Sequence, residues 1–433
     1  MRGRFFAHLP VQHTTSSHTM HPTTLRDRTL IAFMLSASLA STIGGLPFNL
    51  LPVMLGSMAD TFGLDARAAG LMGSVCFAGY LAGTLGAPLW MNRLNWRLLT
   101  VVSTAGTALF FALSAGVTSL PVLYGMWALI GFFASTMTCL GMRILSDLPN
   151  KVRAFGVRQG VELSVTALVL FALPPLVIAH FKYPGAALAL AGVVALLGLS
   201  ALWVPQGPPG APAADANPGT PAPTAAAFAA ATGLRALPAA SWWALGLFFL
   251  FLVGNIGLWA FLERIGTSLG VAPTEMGLVF AVLKLLGGVA AFSVAALGER
   301  LAPLRAALLV LLAIGSGLAL LASAGSTGFA GFALGAWVWE FAFTCGCVFQ
   351  TAAIARSDPS GRAVTLVPGA FALSSMAGPG LAGQIAASGS FSGLLVFALV
   401  SSLVPVLAAL LRRWRRAGVA GNAATEAAGR APG

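Results

Sequence analysis

Two ten-residue stretches decide how this sequence is read: FGLDARAAGL, from Phe62 to Leu71, and LGVAPTEMGL, from Leu269 to Leu278. Laid 207 positions apart (270 against 63), Gly63 meets Gly270, Gly70 meets Gly277 and Leu71 meets Leu278. The register continues without a gap and carries Asn92, Arg93 and Leu94 onto Glu299, Arg300 and Leu301. Further on, with small shifts, Ser146-Asp147 in SDLPNKVRA matches Ser357-Asp358 in SDPSGRA, each followed by an Arg-Ala pair, at Arg153 and Arg362. Apolar runs resemble one another by chance, whereas agreement at loop charges is harder to obtain, so an internal duplication is expected.

The duplicated unit is not a soluble domain. Of 433 residues, 58% are apolar and 8% charged, against roughly 25% charged in soluble domains. Only a helix or a closed barrel satisfies its own backbone in hydrocarbon, and a helix needs about 20 mostly apolar residues to cross it. Runs of that length lie near 30–55, 68–91, 98–118, 121–144, 157–179, 184–205, 241–262, 274–297, 303–324, 328–355, 364–387 and 391–411. The expected fold is therefore all-α and membrane-integral, with twelve transmembrane helices in two pseudo-symmetric six-helix bundles. The expected segments are a tail over 1–29, a bundle over 30–205, a Pro/Ala-rich linker over 206–240, a second bundle over 241–412 and a basic tail over 413–433.

The net charge of +12 would suggest nucleic-acid binding in a soluble chain. Here the basic residues stand singly and in pairs between apolar runs and act as orientation signals. With the N-terminus inside, 20 of the 24 fall on the inner side, Arg67, Lys182 and Arg264 fall outside, and Lys284 falls within a span. Both termini are expected in the cytoplasm. The excess of Arg over Lys, 21 to 3, with abundant Ala and Gly, hints at a GC-rich bacterial genome, and the expected location is the bacterial inner membrane. The four cysteines lie in apolar segments and four of the five histidines lie in the N-terminal tail. No spacing suits a metal site or a disulfide framework, and no metal or other cofactor is expected.

The loop between spans 2 and 3 reads PLWMNRLNWR from Pro88, and its counterpart reads AALGERLAPLR from Ala295. With the doubled six-span architecture, these resemble the major facilitator superfamily, whose corresponding loop follows a pattern close to G-x-x-x-D-R-x-G-R-R. The match is degenerate: Asn92 stands for the acid, Asn95 for the second Gly and Trp96 for a basic residue, so the acid–base pair survives only as Glu299 and Arg300. The resemblance implies that spans 1, 4, 7 and 10 line a central cavity, 2, 5, 8 and 11 flank it, and 3, 6, 9 and 12 face lipid. Some proton-coupled members carry an Arg in span 4, four residues before a Gly; here that position is Trp127, before Gly131. The loop residues Asn92, Arg93, Arg97, Asp147, Arg153, Glu299, Arg300, Arg305, Asp358 and Arg362, all charged but Asn92, are candidates for a gating latch that bonds helix ends across the halves. Simple enforcement of topology is the alternative.

Three ionisable residues fall within the expected spans: Glu162, Lys284 and Glu340. At about 2.5–3.5 kcal/mol each near the bilayer centre, the trio opposes insertion by about 7–10 kcal/mol unless its members pair, neutralise or meet water. At about 1.5 Å per residue, Lys284 lies roughly 15 Å and Glu340 roughly 18 Å from the outer surface, so the two can meet near mid-depth. Arg158 precedes Glu162 by four residues, the spacing of a helical ion pair. Glu340 or Glu162 is expected to bind and release a proton, and Lys284 to hold an anionic solute or act as counter-ion; a structural pair is the alternative. The amides of Asn49, Asn255, Gln350 and Gln384 are weaker candidates that helix-to-helix bonding explains equally well. The aromatic cluster Trp337, Trp339, Phe341 and Phe343 around Glu340 is read as packing or as a cavity wall.

The expected function is secondary active transport of a small solute by alternating access, with protons as a candidate co-substrate, an organic anion as the favoured solute, and a monomer as the working unit. Efflux of amphipathic compounds is open, as is a transport-inactive receptor or scaffold. No nucleotide-binding loop, HExxH pattern or nucleophile with a base partner is evident, so no enzyme activity and no catalytic residues are expected.

Overall fold

The computed structural model describes residues 22–91, 93–146, 148, 151–207, 237–297, 300–358, 363, 366–388 and 391–429, and among them there is no strand. Helices Pro22–Asn49 and Leu51–Phe62 together form span 1, and Ala66–Met91, Trp96–Ser114 and Leu120–Ser146 form spans 2 to 4. Span 5 is Lys151–Leu173 continued by a π turn, Pro174–Ile178, and span 6 follows within Ala179–Gly198 after a break at Lys182. Spans 7 and 8 are Ala239–Ser268 and Pro273–Leu297. Pro303–Ser357 holds spans 9 and 10 on either side of Gly328, and Val367–Ala386 and Ser392–Gly429 are spans 11 and 12. The twelve spans found among the described residues match the expected architecture of two six-helix halves.

The differences lie at the ends. Span 1 continues to Phe62 and span 7 to Ser268, each past the expected limit, so Asp60, Glu263 and Arg264 sit on helices. Arg264 was expected in an outer loop. The apolar part of span 12 ends at Leu411, as expected, and its helix continues to Gly429 through a stretch rich in Ala and Arg, good helix formers. The tail histidines, most of the linker, Asn92, Asp147, Glu299, Arg362 and the side chain of Arg153 lie outside the described residues.

The geometry explains why the repeat was visible where it was. Span 1 ends in a left-handed Gly63 (φ 65°) and span 7 in a left-handed Gly270 (φ 78°), a conformation that glycine adopts without a Cβ penalty. Leu64 N–H donates to Ala59 O at 3.1 Å, and Val271 N–H, 207 residues on, donates to Gly266 O at 3.1 Å. The next helix in each half keeps one arm of a capping box. Asp65 Oδ1 accepts from Ala68 N–H at 2.8 Å in the first half; in the second, Glu275 Oε2 accepts from Ala272 N–H at 2.9 Å.

The same register governs how the halves meet. A Cβ on Gly70 of span 2 would strike the Pro379 carbonyl of span 11, and one on Gly277 of span 8 would strike the Phe171 carbonyl of span 5. Without a hydrophobic drive between helices in lipid, such close backbone approach supplies the dispersion contacts that hold them. These contacts lie towards the end of the bundle opposite the start of span 1 and the finish of span 12, called here the far end. Large apolar side chains point outward from spans 3, 6, 9 and 12, among them Leu98, Leu109, Leu188, Leu196, Leu312 and Leu407. In span 7, by contrast, 78% of the central window is buried, so it belongs to the interior.

In span 4, at the position four residues before Gly131, the sequence has Trp127, and buried hydrogen bonds hold it. Trp127, fully buried, donates Nε1–H to Tyr183 Oη at 2.9 Å, and Tyr183 donates to Ser114 Oγ at 2.7 Å. Tyr183→Phe is expected to orphan the indole N–H and to destabilise the N-terminal half by about 1–3 kcal/mol. Thermal unfolding would show this.

Candidate functional site

The three membrane-embedded charges gather where the halves face each other. Lys284 of span 8 and Glu340 of span 10 are both buried, with Nζ 3.7 Å from Oε1. Lys284 Nζ also lies 3.8 Å from the Trp259 ring centroid in span 7 and 5.9 Å from that of Phe48 in span 1. A desolvated cation over an indole face gains about 2 kcal/mol. Trp259 in turn donates Nε1–H to the Phe48 carbonyl at 3.0 Å across the halves. That carbonyl belongs to the stretch of span 1 broken at Leu50 between Pro47 and Pro52. Proline at 52 has no N–H to give, which leaves the Phe48 carbonyl without its usual helical donor and available to Trp259.

On the N-terminal side, Arg158 Nη2 lies 2.6 Å from Glu162 Oε2, the expected i, i+4 pair. Asn49 Nδ2 donates to Glu162 Oε1 at 3.3 Å, and Arg158 Nε donates to Ser41 Oγ at 2.7 Å. Gly45 leaves the space that the Glu162 carboxyl enters. Glu162 lies within electrostatic reach of Lys284, so the site holds two acids and two bases in alternation: Arg158, Glu162, Lys284, Glu340.

The other candidates lie elsewhere. Asn255 is consumed inside the C-terminal half: its Nδ2 donates to Phe251 O and Ser402 Oγ, and its Oδ1 accepts from Trp339 Nε1–H. Trp339 and Phe343 stack at 5.6 Å and 4°, and Phe343 stacks on Phe251, so this part of the aromatic cluster is packing. Gln384 is exposed. Gln350 lines a cavity of about 560 Å³ within the C-terminal half, together with Arg356 and Ser402. Pro303 and Ala306, at its edge, stand where the repeat places the buried Trp96 and Leu99, and the cavity is separate from the charged cluster.

Of the loop candidates, Arg97 donates Nε–H to the Val204 carbonyl at 2.7 Å, tying the start of span 3 to the finish of span 6. Asn95 caps span 3 through Oδ1, at 2.8 Å from Arg97 N. Arg93, Arg300 and Arg305 are exposed. Asp358 is buried and accepts from Ala363 N–H at 3.0 Å. None of these described contacts crosses between the halves. Among the described residues, an ion pair that does cross between the halves lies at the far end, where Arg264 Nη1 meets Asp60 Oδ1 at 2.5 Å. Sequence reasoning missed Asp60, Trp259 and Phe48; an aromatic and a proline-flanked residue give no signal of their own until the spans are placed.

A model described as the Major Facilitator Superfamily matches residues 34–360. The chain belongs to this superfamily. No curated protein sequence matches it. Solved structures share the superfamily fold at low identity. The nucleoside transporter NupG is 13% identical, with 87% of this chain and 97% of that one covered at a TM-score of 0.67. The xylose transporter XylE from E. coli, in a partially occluded inward open conformation, is 14% identical, covering 90% and 98% at 0.65. A bacterial homolog of the human lysosomal transporter Spinster, inward-facing and unoccupied, is 15% identical, covering 89% and 95% at 0.61. The protein thus has the multi-pass fold of a transporter superfamily.

Proposed function

We propose that this protein is a secondary transporter that carries a small organic anion together with a proton across a bacterial inner membrane, working as a monomer. The observation that carries this reading is Lys284, buried at the junction of the halves between the Glu340 carboxylate and the Trp259 ring. With no solute bound, Glu340 balances its charge. An anionic solute displaces that carboxylate from Lys284, and a proton taken up by Glu340 removes the negative charge left behind. Each occupied state is then close to neutral, which lets the halves rock about the site without moving an unpaired charge through hydrocarbon. The Arg158–Glu162 pair, bridged to span 1 by Asn49, forms the opposite wall and is a second place for the proton.

The distribution of basic residues supports cytoplasmic termini, which would make the far end periplasmic and the described state closed towards the outside. Proteoliposomes with an imposed pH gradient test the coupling. Uptake of an organic acid is expected to rise with inward proton flow and to lose that dependence in Glu340→Gln. Gradient-driven uptake unchanged in both Glu340→Gln and Glu162→Gln would remove the proton from the scheme. Rings of Phe48, Phe371 and Trp259 near the site favour a second reading, export of an amphipathic compound. Competition by hydrophobic cations rather than organic acids would select it.

A further inference from the structure

Glu263 precedes the arginine that ties the halves together, and the central cluster makes no use of it. Its Oε1 accepts a hydrogen bond from Thr267 Oγ1–H at 2.9 Å, while its Oε2 is buried without a partner. The carboxyl lies so close to Gly56 of span 1 that a Cβ there would overlap it. The next residue of span 1, Ser57, is buried, and its Oγ also lacks a partner. Glu263 and Ser57 line a cavity of about 280 Å³ at the far end, bordered by Asp60, Lys182 and Thr267. The charged groups that face it are accounted for. Asp60 and Arg264 are engaged with each other. Lys182, at the turn into span 6, is exposed and forms no ion pair with Glu263 among the described residues. Glu275, at the start of span 8, accepts from Ala272 N–H.

A carboxylate in this position would bury charge on an oxygen that no donor reaches, an unfavourable arrangement. The acid form instead brings its own donor into a cavity that holds an unpaired hydroxyl. We infer that Glu263 is a proton-binding site that latches the far end, taking up a proton as spans 1 and 7 close and releasing it as they part. The site is separate from Glu340 and Glu162 and operates without solute, so it stands or falls independently of the transport reading. The sign of the response is diagnostic. Protonation of Glu263 favours closure, whereas protonation of Asp60 breaks its pair with Arg264 and favours opening.

Hydrogen exchange of the full chain in lipid nanodiscs without solute, corrected for the intrinsic pH dependence of exchange, reads the latch in residues 51–64 and 258–271. Protection is expected to rise several-fold from mildly alkaline to mildly acidic pH in the wild type and in Glu340→Gln. Glu263→Gln, whose amide stays neutral, is expected to be protected at both. Opening on acidification, no response in the wild type, a response abolished by Glu340→Gln, or a wild-type response in Glu263→Gln would each overturn the inference. So would closure driven by sodium at constant pH, which would assign the cavity to a metal cation. Should Glu263→Gln fail to fold, the wild type and Glu340→Gln still decide.

Discussion

Lys284→Ala is expected to abolish uptake of the anionic solute and to lower the thermal stability of the purified protein together. Lys284 and Glu340 are buried and 3.7 Å apart. Removing one partner of a buried pair leaves an uncompensated group in a medium that solvates it poorly, at a cost of about 3–5 kcal/mol. Loss of stability alone would therefore not show that Lys284 touches solute. The double variant Lys284→Met with Glu340→Leu separates the two effects. Replacing both members of a buried pair by apolar residues of similar volume is often neutral or stabilising, so this variant is expected to recover the melting temperature. It is not expected to recover transport, because the cation that attracts the anion and the carboxyl that takes the proton are both gone. Wild-type uptake by the double variant would make the pair a packing device and end the anion reading.

The fold was legible because lipid imposes length and apolarity on every span, and because a duplicated turn leaves a local signature. Gly63 and Gly270 needed the same left-handed backbone, and Asp65 and Glu275 supply complementary arms of one capping arrangement. The sequence therefore recorded the equivalence of the two turns although most residues between them had diverged. Depth along a helix was legible too: counting placed Lys284 and Glu340 at similar depths and made a pair between them possible, and the structure sets them 3.7 Å apart. What counting along single helices does not give is direction around them. Asn255 lies on the most buried span, yet its amide points into its own half and is saturated by Phe251, Ser402 and Trp339. Asp60 and Arg264 were invisible as a pair because helices that project beyond the apolar run have no compositional edge there.

The contact between spans 2 and 11 makes the second large prediction, since the proposed rocking of the halves would make and break it. A Cβ at Gly70 would meet the Pro379 carbonyl and the Gly383 backbone, and a Cβ at Gly383 would meet the Ala66 carbonyl and Gly70. Backbone atoms on both sides leave no flexible side chain to yield. Gly70→Leu therefore penalises the state closed at the far end and leaves Lys284, Glu340 and Glu162 untouched. Overpacking of this kind costs about 1–3 kcal/mol, and a factor of ten in a conformational equilibrium corresponds to about 1.4 kcal/mol. The expected result is a shift of roughly 5- to 150-fold towards the state open at the far end, seen as faster hydrogen exchange over residues 51–64, with solute still bound and turnover lowered. Gly277→Leu, at the equivalent contact with the Phe171 carbonyl, should act in the same direction. Gly63→Ala provides the contrast. Its Cβ meets nothing within reach, so its cost is confined to the left-handed turn and should lower stability without displacing the equilibrium. Gly70→Leu protein that turned over at the wild-type rate would mean that the halves do not part along this seam, and alternating access would have to run through a different pair of helices.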